Sequence, residues 1–239
     1  TGEEYYSTLY AIRESPLEEG IIWVGANDGP VHVTKDGGSN WTDVTPADLP
    51  KGGRVDCVEP SPHDRSKAYV AVLRYQLGDW KPYIYRTKDD GKTWDLLTSG
   101  QNGIPADYPT RVVREDPQHE GVLYAGTEFG MFISFDDGNN WQPFQQNLPV
   151  TPITDIKVHR GDLLVSTMGR SFWILDDLST VDEVMIPWAK KSTQLFKPRD
   201  TFRYRYRTTS EKSTPYYPRP GVILEYYLPA IPSGDIENG

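Results

Sequence analysis

Thr34-Lys35-Asp36-Gly37-Gly38-Ser39-Asn40-Trp41 returns as Thr87-Lys88-Asp89-Asp90-Gly91-Lys92-Thr93-Trp94 and again as Ser134-Phe135-Asp136-Asp137-Gly138-Asn139-Asn140-Trp141. The shared form is a hydroxyl residue, any residue, Asp, any residue, Gly, two further residues and Trp. Trp94 follows Trp41 by 53 residues and Trp141 follows Trp94 by 47, a period that suits one four-stranded blade of a β-propeller. The chemistry of the stretch reads as a tight turn. A short carboxylate accepts backbone N–H bonds inside the turn, and the glycine supplies a positive φ. The tryptophan buries a large ring and seeks an acceptor for its indole N–H. Asp36, Gly38, Trp41, Asp89, Gly91, Trp94, Asp136, Gly138 and Trp141 are therefore read as structural residues, not as catalytic acids that happen to repeat.

Working outward, each turn is preceded by the same order of short apolar runs. A first strand closes near a proline: Leu9 to Ile12 before Pro16, Val55 to Val58 before Pro60, Arg111 to Val113 before Pro117. A second strand follows at Ile21 to Val24, Ala68 to Ala71 and Val122 to Ala125. A third runs into the turn at Val31 to Val33, Tyr83 to Tyr85 and Met131 to Ile133, and the tryptophan opens a fourth. A further unit keeps three strands, Ile153 to Val158, Leu163 to Ser166 and Ser171 to Leu175, but has Asp176-Asp177 where the turn belongs. The expected fold is all-β: four four-stranded blades of a partial β-propeller at about 8–53, 54–109, 110–150 and 151–178, within a domain 1–180. Residues 181–239 read as a linker and the start of a β-sandwich, with Val181 to Ile186 as a short edge strand or a link closing the ring and Gly221 to Leu228 as the first sandwich strand.

Composition narrows the function classes. Hydrophobic residues make up 37% and charged residues 25%, the balance of a folded, water-facing chain. A net charge of -9 with no Lys/Arg block argues against a nucleic-acid surface. The alternation Arg203-Tyr204-Arg205-Tyr206-Arg207 reads as one two-faced strand. Cys57 is the single cysteine, so no disulfide within the chain is possible, and it sits in an apolar strand pattern. His32, His63, His119 and His159 show no metal-ligand spacing, so no metal and no cofactor is expected. No apolar stretch reaches membrane-spanning length. Thr1-Gly2-Glu3-Glu4 has no leader pattern, so the chain is read as processed or as part of something longer.

The three turns and their strand order resemble the Asp-box, or BNR-repeat, propellers. That group includes sialidases, xyloglucan-active glycoside hydrolases, luminal domains of sortilin-type receptors and photosystem assembly factors. Ile22 to Gly25, Ser61 to Asp64, Lys81 to Tyr85, Arg114 to Pro117, Leu123 to Gly130, Asn147 to Pro149 and Gly169 to Asp177 resemble large bacterial sortilin-like BNR-repeat proteins, often called glycosyl hydrolases. The resemblance covers roughly residues 1–230. It implies further blades upstream, a β-sandwich downstream, and a secreted, periplasmic or cell-surface location. It does not hand over a catalytic set: the arginine triad, Tyr–Glu pair and Asp of sialidases do not assemble here, nor do the two cleft aspartates of the xyloglucan-active relatives.

Strand parity says where a site belongs. In an up-and-down blade the Asp/Gly/Trp turns share one end with the first-to-second strand turns. The opposite mouth is built from the second-to-third strand loops and the links between blades. Those loops are 26–29, 73–82, 127–130 and 167–170. They carry Asp28, Asp79 and Glu128 as candidate acids and Arg74, Trp80, Lys81 and Arg170 as candidate ligand-binding residues. The links add Asn102, Asp107, Tyr108 and Asn147. The plainer reading of each charged residue is a solvated or paired loop group. The loop at 73–82 is the longest insertion in the repeat, and insertions on a regular scaffold often carry function. Three functions follow as expectations. One is a binding or scaffold propeller presenting these loops to a glycan or to an extracellular protein or peptide, alongside the remaining blades of a longer protein. A second is a fragment of a glycoside hydrolase, which needs two carboxylates within catalytic reach. A third is a purely structural half-ring that closes a larger assembly.

Overall fold

The computed structural model describes residues 7–184, 193–201 and 221–228. Three antiparallel four-stranded sheets follow one another. The first holds β1 (Leu9–Glu14), β2 (Ile22–Ala26), β3 (Val31–Thr34) and β4 (Thr42–Asp43). The second holds β5 (Arg54–Pro60), β6 (Ala68–Leu73), β7 (Ile84–Thr87) and β8 (Asp95–Leu96). The third holds β9 (Thr110–Glu115), β10 (Leu123–Thr127), β11 (Gly130–Ser134) and β12 (Gln142–Pro143). A fourth sheet has three strands among the described residues, β13 (Ile153–His159), β14 (Asp162–Thr167) and β15 (Phe172–Leu175). The expected fourth strand of this unit is not present among the described residues, and Asp176-Asp177 stands where the other units have the glycine and tryptophan of the turn. The sheets do not close into a ring.

Residues 176–239 form a separate compact unit. Its described parts are a helix, α1 (Ser179–Val184), and a two-stranded ribbon of β16 (Gln194–Leu195) and β17 (Tyr226–Tyr227). The strand expected over 181–186 is thus helix through 184. Local capping decides this: the Ser179 N–H donates to the Asp177 carboxylate at the helix start, and this outweighs β-branching, which is a weak preference. Of the strand expected at 221–228, only Tyr226–Tyr227 pairs. The Arg203 to Arg207 alternation lies outside the described residues.

The four sheets stack through their first strands. Strands β1, β5, β9 and β13 neighbour one another in order, and each of the last three also packs on the second strand of the preceding sheet. A small residue makes room at each junction. Gly25 lies where an added Cβ would strike Val55 at 2.3 Å, and Gly126 where it would strike Ile153 at 2.7 Å. Between the second and third sheets the position is Ala71. The side chains sealed inside are apolar and mostly β-branched or aromatic, among them Trp23, Val31, Val70, Tyr85, Val113 and Ile153.

The three repeated turns share one bonding pattern. The hydroxyls of Thr34, Thr87 and Ser134 accept the glycine N–H of Gly38, Gly91 and Gly138 at 2.9, 2.8 and 2.9 Å. The same hydroxyls donate to Asp36, Asp89 and Asp136 at 2.8, 2.9 and 2.9 Å. Each carboxylate also accepts the N–H four residues on, from Asn40, Thr93 and Asn140. These bonds favour the ionised form. The Asn40 side chain and backbone hold Asp36 down at about 2, and Thr93 lowers Asp89. For Asp136 burial pulls upward and the Asn140 bonds outweigh it.

The turns also fasten sheet to sheet. Trp94 donates its indole N–H to the Val44 carbonyl of the first sheet at 2.7 Å, and Trp141 donates to Leu97 of the second at 3.1 Å. Lys35 pairs with Asp90 at 2.6 Å and Lys88 with Asp137 at 3.0 Å, the same two repeat positions one sheet apart. Asp137 gathers Lys67, Arg86 and the Tyr69 hydroxyl as well, at 2.9, 2.8 and 2.6 Å. Burial pulls Asp137 upward, but the Tyr69, Lys67 and Lys88 partners win and take it from the ordinary 3.8 to about 2. A carboxyl lowered by folding adds stability above its unfolded value and loses it as pH falls through the folded one. Stability is therefore expected to drop between about pH 4 and about pH 2. Asp137→Asn should make that slope shallower in urea melts across the window.

Candidate functional site

The repeated turns and the candidate loops lie at opposite ends of the sheets. Turn amides of Gly37, Asp90 and Asp137 donate to Gly20, Ser66 and Gly121, which belong to the first-to-second strand turns. At the other end the start of each first strand pairs with the end of the second, as Leu9 with Ala26, Val55 with Val72 and Thr110 with Thr127. That end carries the second-to-third strand loops.

One irregularity recurs there. The pairing slips between Leu9 and Ala11, between Val55 and Cys57, and between Ile153 and Asp155. In the third sheet it slips opposite the Gly126–Thr127 step, so that Thr110 and Val112 are paired and Arg111 is not. Tyr10, Asp56, Arg111 and Thr154 are thus equivalent bulge residues in four successive first strands. A bulge re-aims its side chain and interrupts pairing.

The bulge residues of the first three sheets are linked into one row. Arg54 grips Asp56 through Nε and, at 3.0 Å, through Nη2, and its guanidinium lies 4.3 Å from the Tyr10 ring centre. Asp56 also faces Arg111 at 3.5 Å, and Arg111 pairs with Glu128 at 2.5 Å. The Tyr75 ring lies 5.9 Å from Arg111, and exposed Trp80 leans on Tyr75 at 5.9 Å. Burial pushes the Asp56 carboxyl up, and Arg54 and Arg111 pull it back only in part. Next to the row a cleft of about 630 Å³ is lined by Thr8, Tyr10, Asn27, Arg54, Gln76 and Leu77, among others.

The residues nominated from the loops fare differently. Arg74 is buried and donates Nη1 to the carbonyls of Pro50, Lys51 and Gly52 and Nε to Asp79 at 2.9 Å. It fastens the link before β5, so its guanidinium is committed. Asp79 accepts from Arg74 and from the Tyr83 hydroxyl at 2.8 Å; burial pulls it upward, and these bonds win and lower it. Burial and Asp79 together push the Tyr83 hydroxyl up to about 12. Lys81 is exposed and its N–H rests on Asp79 at 3.3 Å. Asp28 accepts the Ser7 hydroxyl at 2.9 Å, and its other oxygen is buried without a partner. Arg170 is exposed in the β14–β15 loop, where its carbonyl takes the Trp173 indole N–H at 2.8 Å. Asp28 and Glu128 belong to the first and third sheets and share no hydrogen bond or ion pair. Among the links, Asn102 braces the third turn through bonds to Leu97, Asn139 and Trp141. Tyr108 packs against Phe129 at 4.8 Å.

Tyr10, Arg54, Asp56, Tyr75 and Arg111 were not among the sequence candidates. A signal existed. Tyr10, Asp56 and Arg111 each stand six residues before a proline, Pro16, Pro62 and Pro117. Anchoring the second unit on Pro60 instead hides that register.

No family model matches the chain. Over 135 residues it is 21% identical to the vacuolar protein sorting/targeting protein 10 of Leptosphaeria maculans, covering 49% of this chain and 9% of that protein. The chain spans less than a tenth of the length of the curated relatives it matches. Among solved structures, YCF48 bound to D1 peptide superposes with a TM-score of 0.52 at 15% identity, over 71% of this chain and 51% of that one. The GH74 xyloglucanase from Xanthomonas campestris gives 0.54 at 16%, over 70% and 29%. These likenesses establish a propeller-like arrangement of sheets. Among the described residues no helix is long and apolar enough to cross a membrane.

Proposed function

We propose that the chain is a partial Asp-box propeller of an extracytoplasmic protein, 1–180, followed by the start of a further domain, 181–239, and that its mouth binds an extended peptide segment of a protein partner. The observation that carries this reading is the cleft beside the bulge row. Its polar groups include the side-chain amides of Asn27 and Gln76, suited to backbone and side-chain carbonyls, and Tyr10 and Leu77 offer apolar contact. The structure of YCF48 with a bound peptide adds support from a similar fold. A glycoside hydrolase needs two carboxylates available for acid and base work. Here Asp79 is taken by Arg74 and Tyr83, Glu128 by Arg111 and Asp56 by Arg54, which leaves Asp28, bonded to Ser7 through one oxygen alone, without a second uncommitted acid among the nominated ones. That engagement favours binding over cleavage.

The test is a screen of the chain on peptide and glycan arrays, followed by titration of the strongest peptide. Tyr10→Ala and Gln76→Ala alter exposed side chains and should weaken that peptide by about tenfold or more each, which is about 1.4 kcal/mol. Glycan binding that Tyr10→Ala abolishes, or peptide binding indifferent to both changes, would overturn the reading.

A further inference from the structure

Large apolar side chains stand in water on two loops of the mouth, and neither loop is slack. In the loop between β6 and β7, Leu77 is 59% exposed and Trp80 is 47% exposed. The Arg74 carbonyl accepts the N–H groups of Leu77 and Asp79, and Gly78, in the left-handed conformation, donates to the Tyr75 carbonyl. Arg74 and the Tyr83 hydroxyl hold the Asp79 carboxylate, and the Trp80 ring leans on Tyr75. In the loop between β10 and β11, Phe129 is 37% exposed. Its N–H donates to the Thr127 hydroxyl at 3.0 Å, the Glu128 N–H donates to the Pro109 carbonyl at 2.9 Å, and the Phe129 ring packs on Tyr108. Rings fixed by their own backbone have little freedom left to lose when a ligand covers them, and exposed aromatics of this kind dominate binding energies.

The charged row joins the two loops. Trp80 rests on Tyr75, Tyr75 faces Arg111, and Arg111 pairs with Glu128, the chain neighbour of Phe129. The loop that carries Trp80 also supplies Gln76 and Leu77 to the cleft. The charges along this line are matched within the protein: Arg54 with Asp56, Arg111 with Asp56 and Glu128, Arg74 with Asp79. A charged ligand group would have to break such a pair, and opening a desolvated pair costs more than one new contact contributes. Of the charged residues in the β6–β7 loop only Lys81 is exposed. We infer that Trp80 and Phe129 set the specificity of the mouth: the partner segment is uncharged where it crosses the row and carries two bulky aromatic or aliphatic side chains, one seated against Leu77 and Trp80 and the other on Phe129. This rests on the peptide-binding reading and adds which peptides are chosen. Sheets pack about 10 Å apart and an extended chain advances about 3.3 Å per residue, so the two apolar side chains stand about three to five residues apart. The exposed amide of Gln76 beside Leu77 suits a peptide backbone and has no use in an acyl layer, which favours a peptide over a lipid surface.

The experiment titrates the strongest peptide from the array against Trp80→Ser, Phe129→Ser and Lys81→Ala. The first two should each weaken the peptide about tenfold, and Lys81→Ala should change it by about twofold or less. A serine scan of the peptide should find its large losses at two bulky apolar positions. Once the position over Trp80 is serine, Trp80→Ser should have no further effect. Raising the salt from about 50 mM to about 500 mM should change the affinity by about twofold or less. An affinity that either Trp80→Ser or Phe129→Ser leaves untouched, with Tyr10→Ala still weakening the peptide, overturns this inference and leaves the cleft reading standing. Losses concentrated at charged peptide positions or at Lys81→Ala overturn it in favour of an ionic contact. A screen that selects no peptide overturns both readings. Sedimentation of the chain with phosphatidylcholine vesicles, abolished by Trp80→Ser, overturns it in favour of a lipid surface.

Discussion

Replacing Lys67 with methionine is expected to cost about 3–5 kcal/mol of stability. The ammonium is 3% exposed and pairs at 3.0 Å with Glu115, whose side chain is 0% exposed. Methionine keeps the length of the stem and removes only the charge. Glu115 then retains the Gly121 N–H at 3.0 Å, and one of its oxygens already lacks a partner. An uncompensated carboxylate between two sheets is far more costly than the net worth of the pair. The Tyr69 hydroxyl and Arg86 still hold Asp137, so the third turn keeps part of its anchorage. Urea unfolding of Lys67→Met and of the double change Lys67→Met, Glu115→Gln separates the two contributions. The double variant should recover part of the loss, because a neutral amide is cheaper to bury than an orphaned charge. A loss below about 1 kcal/mol for Lys67→Met would mean that the pair is wet and contributes as a surface bridge does.

Gly91→Ala should be nearly as damaging, at about 3 kcal/mol, for two reasons that add. Its φ of +84° is unfavourable for any residue with a Cβ. The Cβ would also stand 2.6, 2.9 and 3.0 Å from the Cβ and both methyl groups of Val44. Valine branches at Cβ and is stiff, so it cannot swing aside without moving its backbone. Gly138→Ala meets Leu97 at 2.6 Å through the far Cδ1, which can rotate, and about 2 kcal/mol is expected. Gly38→Ala suffers only the backbone strain of φ +96°, about 1 kcal/mol, since nothing from another sheet lies over it. The order of the three melting temperatures is the diagnostic. Equal losses would mean that the turn conformation alone matters and that sheet-to-sheet contact does not.

Much of this architecture was legible because the residues that make it are chemically unmistakable. A hydroxyl, a carboxylate, a glycine and a tryptophan at fixed spacing have few other reasons to recur, and strand parity then placed the loops at the far end from the turns. Most strands were longer than their apolar cores by one to three residues, as β5 shows by reaching Pro60, while β15 starts one residue later than expected, at Phe172. The site was less legible. A bulge depends on the partner strand as well as on the strand that carries it, so Tyr10, Asp56 and Arg111 share a place without sharing a chemistry. Arg74 illustrates the reverse problem: a charged residue in the longest loop looks available, yet three carbonyls and Asp79 consume it. The helix at Ser179–Val184 depends on a side-chain cap from Asp177, which β-propensity does not register.

The proposed function rests on a division of labour between the two ends: the Asp/Gly/Trp end binds sheet to sheet, and the bulge end is the one that we propose receives the ligand. Amide hydrogen exchange of the chain with and without its selected peptide tests it directly. Slowed exchange is expected around Thr8 to Tyr10, Gly53 to Arg54 and Leu73 to Leu77, with the turns at 34–41, 87–94 and 134–141 unchanged. Protection centred on those turns, with the bulge end unaffected, would contradict it.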